Sequence, residues 1–237
     1  MKVHRSDPLE AAARIVKERH PSCNAAILAG SIVRGQETET SDLDIVVFDS
    51  KVTESYRESF VQEGWPVELF VHNLISYKTF FEADRMRAKP SLPKMVSEGV
   101  ILITSDALDQ IVYEAKKLVA AGPPAWSEET IQLKRYFLTD LLEDFIGCTN
   151  RGEAIFIAGA LSEAAAEFEL RTNRKWLGSS KWVLRALKEF DELLANEFVV
   201  AFDMFYKNEK KEKVILLIDN SLEPYGGRLF EGFSLGK

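Results

Sequence analysis

The sequence predicts an α+β or α/β domain in the first half of the chain, followed by a C-terminal helical bundle. Three observations lead there. Short runs rich in Val, Ile and Phe alternate with helical patterns up to residue 121. Gly122–Pro123–Pro124 then breaks the chain, and the remainder is dominated by Leu, Ala and Phe at helical spacing. At 237 residues there is room for two domains of ordinary size, 1–121 and 122–237.

Asp7 before Pro8 is a helix start, a cap followed by proline at the first helical position, and "LEAAARIVKERH" continues it over 8–19. "AAILAG" (25–30), "LDIVVF" (43–48) and "VELFV" (67–71) are short apolar runs that read as buried strands. Between the last two, "VTESYRESFVQEG" (52–64) has helical spacing and a terminal glycine, which predicts a helix. "LISYKTFFEADRMRA" (74–88) is helical and stops before Pro90, and "VILI" (100–103) predicts a fourth strand. Ser105 caps a helix that runs to Ala121. Beyond Pro124, four helices are predicted from "SEETIQLKRYFLTDLLEDFIG", "EAIFIAGALSEAAAEFELRT", "KWVLRALKEF" and "DELLANEFVVAFDMFYKNEKK". "VILLI" (214–218) has a strand's composition, and "GGRLFEGFSLGK" reads as a surface tail.

Composition narrows the function classes. With 46% hydrophobic and 28% charged residues, the chain is a folded globular protein. The net charge is −7, and Lys+Arg against Asp+Glu is 15 to 18 in 1–121 and 15 to 19 in 122–237. Neither half is basic, which disfavours a long nucleic-acid partner. Cys23 and Cys148 form no CxxC pair and imply neither zinc nor a disulfide framework. No apolar run reaches the roughly 18 residues of a membrane span, so a reduced, cytoplasmic protein is expected.

The chemistry centres on carboxylates. Side chains two apart on a strand share a face, so Asp42 and Asp44 project together while Leu43 and Ile45 point the other way. Like charges that close raise each other's pKa unless a cation lies between them. Magnesium suits such a pair, because it takes oxygen ligands from one or two carboxylates and completes its shell with water and substrate phosphates. Two such ions about 4 Å apart serve in-line phosphoryl displacement. A third acid, Glu68, stands alone inside an apolar strand, where a carboxylate needs a partner. Upstream, Gly30 permits a tight turn after the first strand, Ser31 offers a hydroxyl and Arg34 a planar fork of donors for an anion.

Gly30-Ser31, ten intervening residues, Asp42-x-Asp44 and then Glu68 in the next strand resemble the DNA polymerase beta-type nucleotidyltransferase superfamily. The likeness covers residues of about 25–72. It implies a small mixed-sheet catalytic domain with strand–helix–strand–helix–strand order. It also implies that the two aspartates hold metal ions, that the Gly-Ser turn binds the triphosphate, and that the third acid assists the acceptor hydroxyl. The layout with a helical bundle behind the catalytic domain resembles the kanamycin-type antibiotic nucleotidyltransferases, an architectural likeness without substrate information.

The second half offers weaker candidates. Lys181, Arg185 and Lys188 share one face of a helix that Ser179 or Ser180 caps, which brings Lys181 to a positive helix end suited to a triphosphate. Asp140, Glu143 and Asp144 form an acidic helix face, an alternative source of a general base or a lure for a cationic acceptor. Glu163, Glu167 and Arg171 are spaced to pair among themselves, and His4, His20 and His72 match no motif. The expected activity is magnesium-dependent transfer of a nucleoside monophosphate, AMP from ATP, to a hydroxyl of a small molecule such as an aminoglycoside, releasing pyrophosphate. The alternative is a regulatory or antitoxin-like module that adenylylates or binds a protein partner.

Overall fold

The structure, a computed structural model, describes residues 5–236. His4 and Lys237 lie outside that range. The chain forms two compact units, Met1–Gly122 and Pro123–Lys237.

In the first unit, α1 (Pro8–Arg19) starts where Asp7 Oδ1 accepts the Glu10 N–H at 3.0 Å, and it buries Ala11, Ala12, Ile15 and Val16 along one stripe. The strands are β1 (Ala25–Ala29), β2 (Leu43–Phe48), β3 (Tyr56–Gln62), β4 (Trp65–His72) and β5 (Val100–Ile103). They form one sheet in the order β3-β4-β2-β1-β5, with β2 and β4 parallel and the other pairs antiparallel. The mixed sheet and the helical second half agree with the fold class read from the sequence.

Alternation along the strands divides the core in two. Ala26, Leu28, Leu43, Ile45, Val47, Val67, Leu69 and Val71 pack beneath α1. Ala25, Ile27, Val46 and Phe48 face the other way, against α3 (Tyr77–Met86), α4 (Ser91–Glu98) and α5 (Asp106–Ala121). Ser105 Oγ accepts the Leu108 N–H at the start of α5.

One predicted element changes type here. Residues 52–64 do not form a helix; they contain the edge strand β3, and Gly64 ends a hairpin, not a helix. Glu63 and Gly64 have φ of 56° and 78°, and Gln62 pairs with Trp65 across the two-residue loop. A two-residue hairpin loop needs positive φ, which glycine supplies as readily there as after a helix, so the same residue type marks both. The parallel β2–β4 pair is consequently bridged by a strand that runs up the sheet edge and folds back, in place of a crossover helix. The family order strand–helix–strand–helix–strand does not hold between β2 and β4.

The second unit consists of α6 (Glu128–Gly147), α7 (Arg151–Thr172), α8 (Lys181–Phe190), α9 (Glu192–Asn208) and α10 (Glu212–Leu222), and then a short 3-10 turn at Glu223–Tyr225. The strand expected at 214–218 is helical. Val214, Leu217, Ile218, Ser221 and Leu222 are buried at helical spacing, and that stripe overrides the β-branched composition. The core is made by Leu138, Leu142, Phe145, Leu161, Phe168, Phe198, Phe205 and their neighbours. Glu167 and Arg171 do not pair with each other as their spacing suggests. Lys134 Nζ reaches Glu167 at 2.7 Å, and buried Arg171 donates to the Pro124 carbonyl at 2.7 Å. The tail is pinned: Arg135 donates to the carbonyls of Gly226, Gly227 and Arg228, while Arg228 bridges Asp219 and Glu143. No helix among the described residues is long and apolar enough to cross a membrane.

Candidate active site

Asp44 is the second residue of β2, and Asp42 lies one residue ahead of the strand. In the parallel β2–β4 pair, Asp44 stands directly opposite Glu68. Both belong to the face that carries Val46 and Phe48, but at the strand end beyond the helices that cover those residues, so the carboxylates remain half-buried. One carboxylate oxygen from each of Asp42, Asp44 and Glu68 lies within 4.8 Å of the other two.

Three acids this close are unfavourable without a counter-charge. Burial, with Asp42 and then Glu68 adding to it, pushes the Asp44 carboxyl from its ordinary 3.8 up to about 6, against the opposing pull of Arg34 and Arg57. The donor set, oxygen only and drawn from three carboxylates, fits magnesium. It does not suit a soft metal that prefers sulfur or imidazole.

The turn after β1 explains the glycine. Gly30 has φ +84°, and a Cβ there would lie 2.0 Å from Asp44 Oδ2. Only a residue without a side chain lets the chain turn there and leaves the carboxylate its position. Gly30–Val33 forms a single helical turn, α2. Ser31 Oγ donates to Ser41 Oγ at 3.1 Å, and Ser41 Oγ also accepts the Thr38 N–H at 2.8 Å. Buried Ser41 therefore ties the 31–41 loop to the entry of β2.

The remaining sequence candidates are placed differently. Arg34 follows α2, and its Nη1 lies 2.8 Å from Glu98 of α4, still close enough to Asp44 for its charge to be felt there. Lys181 is the exposed first residue of α8 in the second unit, and Ser180 before it makes no side-chain cap. Asp140, Glu143 and Asp144 are exposed on α6, and Glu143 pairs with Arg228 at 2.7 Å.

The sequence reading missed Arg57. It lies on β3 opposite Phe70, with its guanidinium carbon 4.9 Å from the ring centroid, and its Nη2 pairs with Glu68 Oε1. The signal was present: "YRESFVQ" is a β-favouring stretch ending on Glu-Gly, a hairpin cue.

Residues 9–103 match the Nucleotidyltransferase domain family. With the mixed sheet and the acidic triad, that makes the first unit a nucleotidyltransferase domain. The domain belongs to the DNA polymerase beta-type superfamily. A solved structure of a nucleotidyltransferase-like protein from Exiguobacterium sibiricum 255-15 is similar over 92% of this chain and 75% of that one, at 14% identity and a TM-score of 0.47. A search of curated proteins found no match.

Proposed function

We propose that this nucleotidyltransferase moves a nucleoside monophosphate, AMP from ATP, onto a hydroxyl of a small molecule and releases pyrophosphate. The observation that carries the reading is the convergence of Asp42, Asp44 and Glu68 within 4.8 Å, oxygen donors from two neighbouring strands. In this reading Asp42 and Asp44 hold magnesium, and Glu68 is a ligand or the base that takes the acceptor proton. Bound magnesium supplies charge neutralisation for the phosphates and lowers the pKa of a coordinated oxygen.

The protein's own part is positioning. Gly30 keeps the backbone away from Asp44 and brings the Ser31 amide and hydroxyl to the triphosphate, with Arg34 a further anion donor once it leaves Glu98. Such positioning with fixed charges supplies most of the catalysis in phosphoryl transfer. Lys181 is a second proposed triphosphate contact, and the helical unit is proposed to carry acceptor recognition. Its acidic α6 face, Asp140, Glu143 and Asp144, favours a cationic acceptor of the aminoglycoside kind.

The test is turnover. Purified protein is given each nucleoside triphosphate, magnesium and a panel of hydroxylated small molecules, with pyrophosphate and acceptor mass as readouts. Asp42→Ala and Asp44→Ala are expected to abolish both signals. Unchanged pyrophosphate release in either variant would show that the site is elsewhere. A mass gain on a co-purified protein, with none on any small molecule, would favour the protein-modifying alternative.

A further inference from the structure

The acidic triad has a cation of its own. Glu68 faces Ser59 across the antiparallel β3–β4 pair, so Arg57, two residues from Ser59, is on the same face and one diagonal step away. Its guanidinium is held over Phe70, the residue two beyond Glu68, and from there Nη2 reaches Glu68 Oε1. Phe70 thus supports the guanidinium from below, and the neighbouring carboxylate takes one prong. The charge of Arg57 also reaches Asp44, as does that of Arg34, which already pairs with Glu98.

We propose that Arg57 is a positioning residue that occupies Glu68 in the metal-free protein and releases it when a divalent cation enters between Asp42, Asp44 and Glu68, thereby setting the cation concentration at which the site fills. This rests on the metal-binding reading above. The pair is suited to exchange: the Arg57 side chain is 55% exposed and that of Glu68 29%, so water and salt screen the contact and a partner can be traded without stranding a buried charge. A fixed monovalent cation at the same carboxylate both competes for its oxygen and repels an arriving divalent ion. On the released side, the guanidinium keeps its place over Phe70 and remains next to the filled site.

The experiment measures Mn²⁺ binding by paramagnetic relaxation of water protons, on the full chain and without nucleotide. Arg57→Gln is expected to bind Mn²⁺ about threefold to fivefold more tightly than wild type, the most that a screened pair of this exposure supports. Arg57→Lys, which keeps the charge and loses the fork, is expected to fall between the two. In a Glu68→Gln background, Arg57→Gln is expected to lose most of its effect, because the competed oxygen is gone. The midpoint for Mg²⁺ activation of turnover should move down by a similar factor.

Unchanged or weaker Mn²⁺ affinity in Arg57→Gln overturns the role of Arg57, as does a full-size effect that persists without Glu68. A higher KM for the nucleotide with unaltered Mn²⁺ affinity also overturns it, by making Arg57 a substrate contact. Failure of the underlying reading looks different: wild type then binds no Mn²⁺, or Asp44→Asn binds it as well as wild type does.

Discussion

Replacing Asp44 with asparagine should inactivate the enzyme and stabilise the metal-free protein. In the folded chain burial, and then Asp42 and Glu68, disfavour the charge of the Asp44 carboxyl and push it from 3.8 up to about 6. Two units at about 1.36 kcal/mol each give roughly 3 kcal/mol of destabilisation whenever Asp44 is ionised. The asparagine amide keeps some of the desolvation penalty, so a gain of about 2 kcal/mol is expected near pH 8. The sign comes from proton counting. Between about pH 4 and pH 6 the native state holds a proton that the unfolded chain has lost, so wild type loses stability as pH rises through that window. Below about pH 4 the group is protonated in both states and the variant's advantage vanishes.

His72 works the opposite way in nearly the same range. Its burial lowers the imidazole from 6.5 to about 4, so its contribution to stability grows as pH rises. The difference between variant and wild type removes it. Urea unfolding in the presence of a chelator, followed through the methyl resonances of Val46 and Val47, reads the first unit alone. Added Mg²⁺ should stabilise wild type and leave the variant nearly unmoved. A variant no more stable than wild type near pH 8, or equally favoured near pH 4, would refute the argument that Asp44 is a strained anion awaiting a cation.

Gly30→Ala should reduce kcat/KM by about a hundredfold or more, since its Cβ would fall 2.0 Å from Asp44 Oδ2 on a backbone with φ +84°. Near-normal kinetics would mean that the Asp44 carboxylate is free to move. In the second unit, Phe145→Ala removes a fully buried ring packed edge-on at 4.8 Å against Phe205, and calorimetry should record a loss of about 3–5 kcal/mol. Asp7→Ala removes the α1 cap and should lower stability by about 1 kcal/mol with turnover intact; a change in turnover would tie α1 to the chemistry.

Most helices were legible because their signals are local. Asp7–Pro8, Ser105 and the 3.6-residue stripes of α1, α5 and α6 are each contained within a few turns of chain. The two misread segments, 52–64 and 214–218, carry short signals compatible with either element. They were decided by neighbours, β4 for the first and the helical core for the second. The same limit governs the site. That Asp42 and Asp44 share a face comes from the period of two along one strand. That Glu68 stands against Asp44 comes only from the parallel register of β2 with β4.

The chemistry was thus written in the chain itself, as an acidic pair after a Gly-Ser turn with a third carboxylate in an apolar strand, because residue type and strand period are properties of a single segment. The geometry belongs to the folded molecule: which oxygens converge, why residue 30 must lack a Cβ, and that Arg57 is the cation at Glu68. Those depend on pairing between strands remote in sequence, and pairing is set by the burial of a whole sheet face, which no short window of residues contains.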